Sequence, residues 1–205
     1  MKKFPLYKQP EKSSLCGPTC VQMVMGYFGH DYLLEEITKQ IHMRKNGTSV
    51  PNIGLYFLKN NFTNVKISCL DTKVFNYHVT NKSTKKQILE MESCLEKNGP
   101  NRFIKETIKF LQAGGKFEFT ITTVSELKEL LKNNILLCRI DAAVLYKKRT
   151  AVREAWHFVI PVKITKTTIT IHDPSPKFGG IKTYSVKEFT VAFYSAKSYV
   201  LQVRK

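Results

Sequence analysis

Apolar residues at helical spacing mark the N-terminal part of the chain. They recur at intervals of three and four residues, which is the pattern of a helix with one buried face. The positions are Val21, Val24, Met25 and Phe28. Pro18 suits the first turn of this helix, where its missing N–H costs nothing, and Gly29 suits its end.

Two more helices are predicted before residue 60. Residues 32–42 place Leu33, Ile37 and Ile41 on one face, which we expect to point inward. A third helix begins near Pro51, after the segment Gly-Thr-Ser at 47–49, whose polar side chains suit a helix cap.

The pattern changes to that of strands in the second half of the chain. Residues 117–121 alternate between apolar and polar side chains, and four later segments are rich in β-branched or aromatic residues. These segments are 135–140, 156–164, 168–172 and 199–203, and 65–70 is an earlier short strand. A short amphipathic helix is predicted over 124–132. The order predicts an α+β fold, with N-terminal helices packed on a C-terminal antiparallel sheet.

Residues 71–115 are the part of the chain whose pattern is hardest to read. Two helices are predicted here, over 85–97 and 102–112, with the Asn-Gly-Pro segment at 98–100 as a break between them. A length of 205 residues suits one domain. We therefore interpret 1–205 as a single domain and 71–115 as an insertion or elaboration of it.

The composition is that of an ordinary globular protein, with 42% apolar and 24% charged residues. No apolar run reaches the roughly 18 residues of a membrane span, and none follows the N-terminal lysines as in a signal peptide. The five cysteines are odd in number and have no framework spacing. Reduced thiols and a cytoplasmic location are therefore expected.

The chain carries a net charge of +17. A field of this sign attracts nucleic acid, anionic membrane or an acidic protein. The lysines are spread through the chain and form no single tract, so a role in nucleic-acid binding is possible but not favoured.

Cys16 is the first candidate for chemistry. It lies in the turn just before the first predicted helix, where the helix N–H groups and dipole lower the pKa of a thiol. A cysteine at such a position is more often a small buried hydrophobic residue, so Cys16 alone is weak evidence.

Three other residues could complete a site around Cys16. His157 leads an apolar strand, and Asp173 ends the next one, so a hairpin would bring base and carboxylate to one end of the sheet. Gln9, seven residues before Cys16, could donate a hydrogen bond to the oxyanion that forms when a thiolate attacks a carbonyl.

The motifs that contain these residues resemble those of the double-glycine leader peptidases, which are papain-like cysteine peptidases. The matching segments are Tyr-Lys-Gln at 7–9, Leu-Cys-Gly-Pro-Thr-Cys at 15–20, Gly-Thr-Ser-Val at 47–50, Trp-His-Phe-Val-Ile at 156–160, Ile-His-Asp-Pro at 171–174 and the segment 182–189. The resemblance implies a papain-like fold and a free-standing member of that family. It also implies roles for Cys16 as nucleophile, His157 as base, Asp173 as its orienting carboxylate and Gln9 as oxyanion donor.

Some alternatives stay open at this point. His172 competes with His157 as the base, and Asp141 competes with Asp173 as the carboxylate. Cys16 and Cys20 with a histidine could suggest a metal, but no second cysteine pair at zinc spacing exists, and we expect no metal and no cofactor. The family usually has glycine before the histidine, where this chain has Trp156, and that difference affects the expected substrate cleft.

The sequence therefore predicts a cysteine peptidase that hydrolyses a peptide or isopeptide amide, with small residues such as glycine before the cleaved bond. A peptide or protein substrate, acidic because of the basic surface, is the expected partner. One alternative is an acyltransferase or transpeptidase that uses the same Cys-His site. Another is a catalytically inert basic module that binds nucleic acid or an acidic protein.

Overall fold

The computed structural model describes residues 3–72, 82–147 and 155–205. The chain forms eight helices and seven strands over these residues. The helices are α1 (Cys16–Tyr27), α2 (Leu34–Gln40), α3 (Val50–Lys59), α4 (Thr84–Asn98), α5 (Arg102–Gln112), α6 (Val124–Asn133), α7 (Ala142–Leu145) and α8 (Val186–Ser195). The strands are β1 (Asn64–Cys69), β2 (Lys116–Phe119), β3 (Ile135–Asp141), β4 (Trp156–Ile164), β5 (Thr168–Asp173), β6 (Gly180–Ser185) and β7 (Val200–Arg204).

The N-terminal helices form as the apolar spacing predicts. Val21, Val24 and Met25 are buried on α1, and Gly29 follows its end with a positive φ of 81°. Ser49 caps α3 by accepting a hydrogen bond from the Asn52 N–H at 3.3 Å. These helices therefore supply the apolar face that packs on the sheet.

The second helix is shorter than predicted. It begins at Leu34, so Leu33 becomes the residue before its first turn, and the Leu33 side chain is 65% exposed. The prediction that Leu33 faces the core was therefore wrong, while Ile37 and Ile41 are buried as predicted.

All seven strands belong to one sheet, in the order β2-β1-β7-β3-β4-β5-β6. The α+β fold is confirmed, and neighbouring strands from β1 through β6 in this order pair antiparallel. The exception is β1 with β2, which pair in parallel, Lys66 opposite Lys116. Parallel neighbours require a crossover, and α4 and α5 lie in the chain between these two strands.

The two helices predicted within residues 71–115 are confirmed as α4 and α5. Residues 73–81 of this segment lie outside the described part of the chain. Phe110 of α5 is fully buried against two glycines: a Cβ at Gly54 would lie 2.6 Å from its ring and one at Gly115 only 2.3 Å. Helix α5 is thus part of the main core, and the interpretation of 71–115 as an insertion in a single domain stays a prediction.

The sheet separates two apolar clusters. One face packs against α1, α3 and α5, and the other packs mainly against α6 and α8. Consecutive residues of β3 and β4 point to opposite faces, as expected for a pleated strand. Leu137 and Phe158 therefore belong to the first cluster, and Cys138 and Val159 to the second.

Replacing Phe110 with alanine tests whether α5 belongs to the core. We expect the free energy of unfolding to fall by about 3–5 kcal/mol, because the substitution leaves a cavity between two helices and the sheet. The measurement is urea denaturation followed by circular dichroism. Leu89→Ala, at an exposed position on α4, is the matched control and should change stability by less than about 0.5 kcal/mol. Equal effects of the two substitutions would contradict the assignment of α5 to the core.

Candidate active site

Cys16 is the first residue of α1, one position further into the helix than the sequence predicts. The site is tightly packed, since a Cβ at the neighbouring Gly17 would lie 2.9 Å from Ile53 Cδ1 and 3.0 Å from Thr48 Cγ2. The absence of a side chain at Gly17 thus lets the start of α1 approach α3 closely. The side chain of Cys16 is half-buried.

The surroundings of Cys16 favour a thiolate. Burial raises the pKa of the thiol, but the hydrogen bond from His157 and the charge of its imidazolium lower it, and so do the backbone N–H groups of Phe158 and Gly17. The donors outweigh burial, and the pKa of Cys16 is lower than that of an ordinary cysteine. A thiolate is the nucleophilic form of the side chain.

His157 connects this thiol with a buried carboxylate. Its Nε2 atom lies 2.8 Å from Asp173 Oδ1, so Nδ1 is the ring nitrogen left for Cys16. Burial lowers the pKa of His157, but the hydrogen bonds and charges of Asp173 and Cys16 raise it to about 10. The opposite shifts of Cys16 and His157 describe one thiolate–imidazolium pair.

Asp173 ends β5 and is fully buried. Its Oδ1 also accepts a hydrogen bond from the Ser175 N–H at 2.8 Å, and its Oδ2 accepts one from the Tyr146 hydroxyl at 2.6 Å. Burial raises the pKa of this carboxyl, but the bonds from His157, Tyr146 and Ser175 lower it further than burial raises it. Asp173 is therefore held as a carboxylate.

Tyr146 is a residue of this site that the sequence did not reveal. It follows the four-residue helix α7, which is too short for a periodic signal. Its ring stacks on Phe178 with a centroid distance of 4.9 Å and meets His157 edge-on at 6.2 Å. Tyr146 thus contacts both the base and the carboxylate.

Gln9 lies beside the site, but its hydrogen bonds go to Pro174 and Ser13 and not to Cys16. Its backbone N–H donates to the Pro174 carbonyl oxygen at 2.8 Å, just after Asp173. Its side-chain N–H₂ donates to the Ser13 carbonyl oxygen at 2.8 Å, and its Oε1 is buried without a partner among the described atoms. The same N–H₂ group also lies 3.5 Å from the Ser13 hydroxyl oxygen, and the role as oxyanion donor stays a prediction.

The two alternative residues lie elsewhere. His172 is buried with its ring edge-on against Phe4, 5.8 Å between centroids. Asp141 accepts hydrogen bonds from the backbone N–H groups of Ala143 and Val144, at 2.9 and 3.4 Å, as the cap of α7. Neither takes part in the chain of contacts from Cys16 to Asp173.

The other cysteines differ from Cys16 in their surroundings. All five are free thiols. Burial raises the pKa of Cys20, Cys69 and Cys138, and Cys94 is half-buried on α4. Within residues 3–72, 82–147 and 155–205, no group of three His, Cys, Asp or Glu side chains could hold a metal ion.

The comparisons with known proteins point to one family. Residues 3–92 match the model of the peptidase C39 family. No curated protein matches the chain.

Three solved structures have the same fold over the whole chain. One is a double glycine motif protease from an AMS/PCAT transporter in complex with the leader peptide (14% identity, TM-score 0.52, 100% of this chain and 94% of that one). Another is the peptidase domain of Streptococcus ComA, a bifunctional ABC transporter of a quorum-sensing pathway (12%, 0.54, 100% of both chains). A third is a C39-like peptidase from Bacillus anthracis (13%, 0.50, 100% and 96%).

The first prediction from this geometry concerns the pH dependence of Cys16 alkylation. In a Cys94→Ser background, iodoacetamide should label Cys16 with a midpoint below the value of about 8.5 of an ordinary thiol. His157→Ala should move the midpoint upward, because the thiolate loses a hydrogen bond and a positive charge. Each unit by which the midpoint then lies above pH 7 lowers the thiolate fraction at pH 7 by about tenfold. Intact mass over time measures the rate, and an unchanged midpoint in His157→Ala would disprove the pairing.

The second prediction concerns Tyr146 as a positioning residue. Tyr146→Phe removes one donor to a buried carboxylate, so we expect a loss of about 1.5–3 kcal/mol in unfolding free energy at neutral pH. The folded-state pKa of Asp173 is lowered, so this stabilisation is present above its unfolded value and is lost as pH falls. The difference in unfolding free energy between wild-type protein and Tyr146→Phe should therefore shrink as the pH is lowered.

Urea denaturation across acidic to neutral pH measures this gap. Tyr194→Phe, at an exposed tyrosine of α8, is the control and should show no gap. A loss in Tyr146→Phe that does not depend on pH would indicate a packing effect only.

Proposed function

We propose that this chain belongs to the peptidase C39 family and hydrolyses peptide bonds with Cys16 as the nucleophile; the family match over residues 3–92 and the fold shared along the whole chain support this. The observation that carries the proposal is the unbroken series of contacts from Cys16 through His157 to Asp173. The pKa shifts of all three residues favour the charged forms that thiol chemistry requires.

The reaction begins with attack of the Cys16 thiolate on a carbonyl carbon. The carbonyl oxygen becomes an oxyanion, which two donors can stabilise. The first is the Cys16 backbone N–H, which has no partner within the helix because Cys16 is its first residue. The second is the side-chain N–H₂ of Gln9, which turns from its contacts with Ser13 to the oxyanion.

His157 then moves the proton. Its imidazolium donates the proton to the departing amine, and the acyl group remains on Cys16 as a thioester. Neutral His157 next takes a proton from water, which attacks the thioester and releases the acid. Asp173 and its two other donors hold the imidazole in the required tautomer throughout.

The substrate that we propose is a peptide segment cleaved after a small residue such as glycine. Support comes from the related double glycine motif protease, whose structure contains a leader peptide. The net charge of +17 favours an acidic segment. No helix among the described residues is both long and apolar enough to cross a bilayer, and five free thiols support the cytoplasmic location that we propose.

The test is turnover of a mixture of synthetic peptides that contain Gly-Gly sites, followed by mass spectrometry. Wild-type protein should cleave a subset of them, and Cys16→Ser should lower the rate by about a thousandfold or more. Cys94→Ser is the matched control and should retain the wild-type rate. Full cleavage by Cys16→Ser would end the proposal.

Product analysis separates hydrolysis from acyl transfer, because both pass through the same thioester. With glycine amide added as acceptor, a peptidase gives mainly the free acid. A dominant glycine amide adduct would identify an acyltransferase. Absence of any turnover, together with steeply salt-dependent binding to DNA or RNA, would favour the inert basic module.

A further inference from the structure

Trp156 occupies a special position next to the base. On β4 it shares a face with Phe158, because alternate residues of a strand point the same way. Phe158 belongs to the cluster that includes α1 and lies 3.4 Å from the position of a Gly17 Cβ. Trp156 is thus on the side of the strand where α1 packs, at the first residue of β4, and is 46% exposed.

The ring of Trp156 is held by a buried cation. The Arg139 guanidinium lies 4.1 Å from the centroid of the Trp156 ring on one side and 3.8 Å from that of Tyr199 on the other. Arg139 is itself buried and donates two hydrogen bonds to the Ala196 carbonyl oxygen, at 3.2 and 2.9 Å. A cation in this position stabilises one face of the indole and fixes its orientation. Trp156 keeps 46% of its surface exposed beside this contact.

Trp156 and His157 project to opposite faces of β4. The His157 ring meets Tyr146 at the end of α7 and also bonds to Cys16. The departing amine leaves at the imidazole that protonates it, whereas the acyl part stays attached to Cys16. Trp156 lies on the face of β4 that packs against α1, the helix that carries the acylated Cys16.

From this arrangement we propose that the solvent-facing side of Trp156 binds an apolar or aromatic side chain of the substrate, at the second residue before the cleaved bond. A fixed indole next to the nucleophile offers a large apolar surface without further loss of side-chain entropy. The favoured sequence is then an apolar residue followed by glycine, in place of two glycines. The inference rests on the proposed function, because it assumes that Cys16 is acylated.

Peptidyl chloromethyl ketones test the inference directly, since the Cys16 thiolate displaces chloride and forms a thioether. Acetyl-Phe-Gly, acetyl-Leu-Gly and acetyl-Gly-Gly chloromethyl ketones differ only at the residue in question. In wild-type protein we expect the first two to label Cys16 roughly tenfold faster than the third, the scale of selectivity of an apolar contact. Intact mass over time gives the rates.

Variants of Trp156 then test whether this side chain causes the preference for Phe-Gly and Leu-Gly ketones. Trp156→Gly should reduce the ratio of rates to near one, while Trp156→Phe should keep most of it. Tyr194→Ala, which removes an exposed aromatic side chain of α8, should leave the ratio unchanged. A wild-type preference for Gly-Gly, or a ratio that Trp156→Gly does not change, would overturn the inference.

Fluorescence of the wild-type adducts gives a second measurement, which needs no variant. Trp156 is the single tryptophan of the chain, so the emission reports its surroundings alone. The Phe-Gly adduct should shift the emission to shorter wavelength relative to the iodoacetamide adduct, because the substrate side chain displaces water from the ring. Identical emission of the two adducts would overturn the inference.

Iodoacetamide labelling distinguishes the two possible failures. Its rate depends on the Cys16–His157 pair and not on substrate side chains. Rapid labelling by iodoacetamide with no preference among the ketones would refute the role of Trp156 alone. Slow labelling by all four reagents would refute the proposed nucleophile as well.

Discussion

The buried carboxylate of Asp173 is the constraint around which the site is organised. A carboxylate without exposure to water is costly unless charged and polar partners surround it. Its partners come from three different parts of the fold: His157 from the start of β4, Tyr146 from the end of α7, and Ser175 from the loop after β5. The ionised state of Asp173 thus couples the end of the sheet, the short helix and the loop into one arrangement. The imidazolium of His157 is the partner with opposite charge, and it in turn stabilises the thiolate.

The nucleophile reaches this arrangement through packing on the other face of the sheet. Helix α1 lies on β4, where the Cys20 Sγ donates to the Phe158 carbonyl oxygen at 3.4 Å. The same residue Phe158 donates its N–H to Cys16 and lies close to Gly17. One residue of β4 therefore anchors both cysteines of α1 through its backbone. The different outcomes for the two thiols follow from this geometry: Cys16 meets donors and an imidazolium, whereas Cys20 meets a carbonyl, and burial raises its pKa.

Those parts of the fold with strong local periodicity were predictable from sequence. Helix α1 and the strands β4 and β5 have regular apolar patterns, and the contact between His157 and Asp173 followed from their expected hairpin. Elements without such a pattern were missed. Helix α7 has only four residues, and β6 is an edge strand with mostly exposed side chains, whose leading glycines resemble a loop. Tyr146 could not be found because nothing local marks a tyrosine that donates to a carboxylate 27 residues later.

The parallel pair of β1 and β2 shows the same limit at the level of topology. Each strand is recognisable by its composition, but their relative direction depends on the path of α4 and α5 between them. That path is set by burial of Phe110 against Gly54 and Gly115, which is a contact across distant parts of the chain. Local spacing carries no information on such a contact, so the sequence predicted both helices without predicting that α5 completes the core.

The alternation of side chains along β4 links chemistry to recognition. His157 points to the face where Asp173 and Tyr146 hold it, and its neighbour Trp156 must then point to the face of α1 and Arg139. The register of β4 against β3, with Arg139 opposite Phe158, fixes both at once. A shift of one residue would exchange the two faces and remove the imidazole from its carboxylate. The residue before the histidine therefore cannot leave the α1 side of the strand as long as the base is in place, so one register positions both the base and the proposed recognition residue.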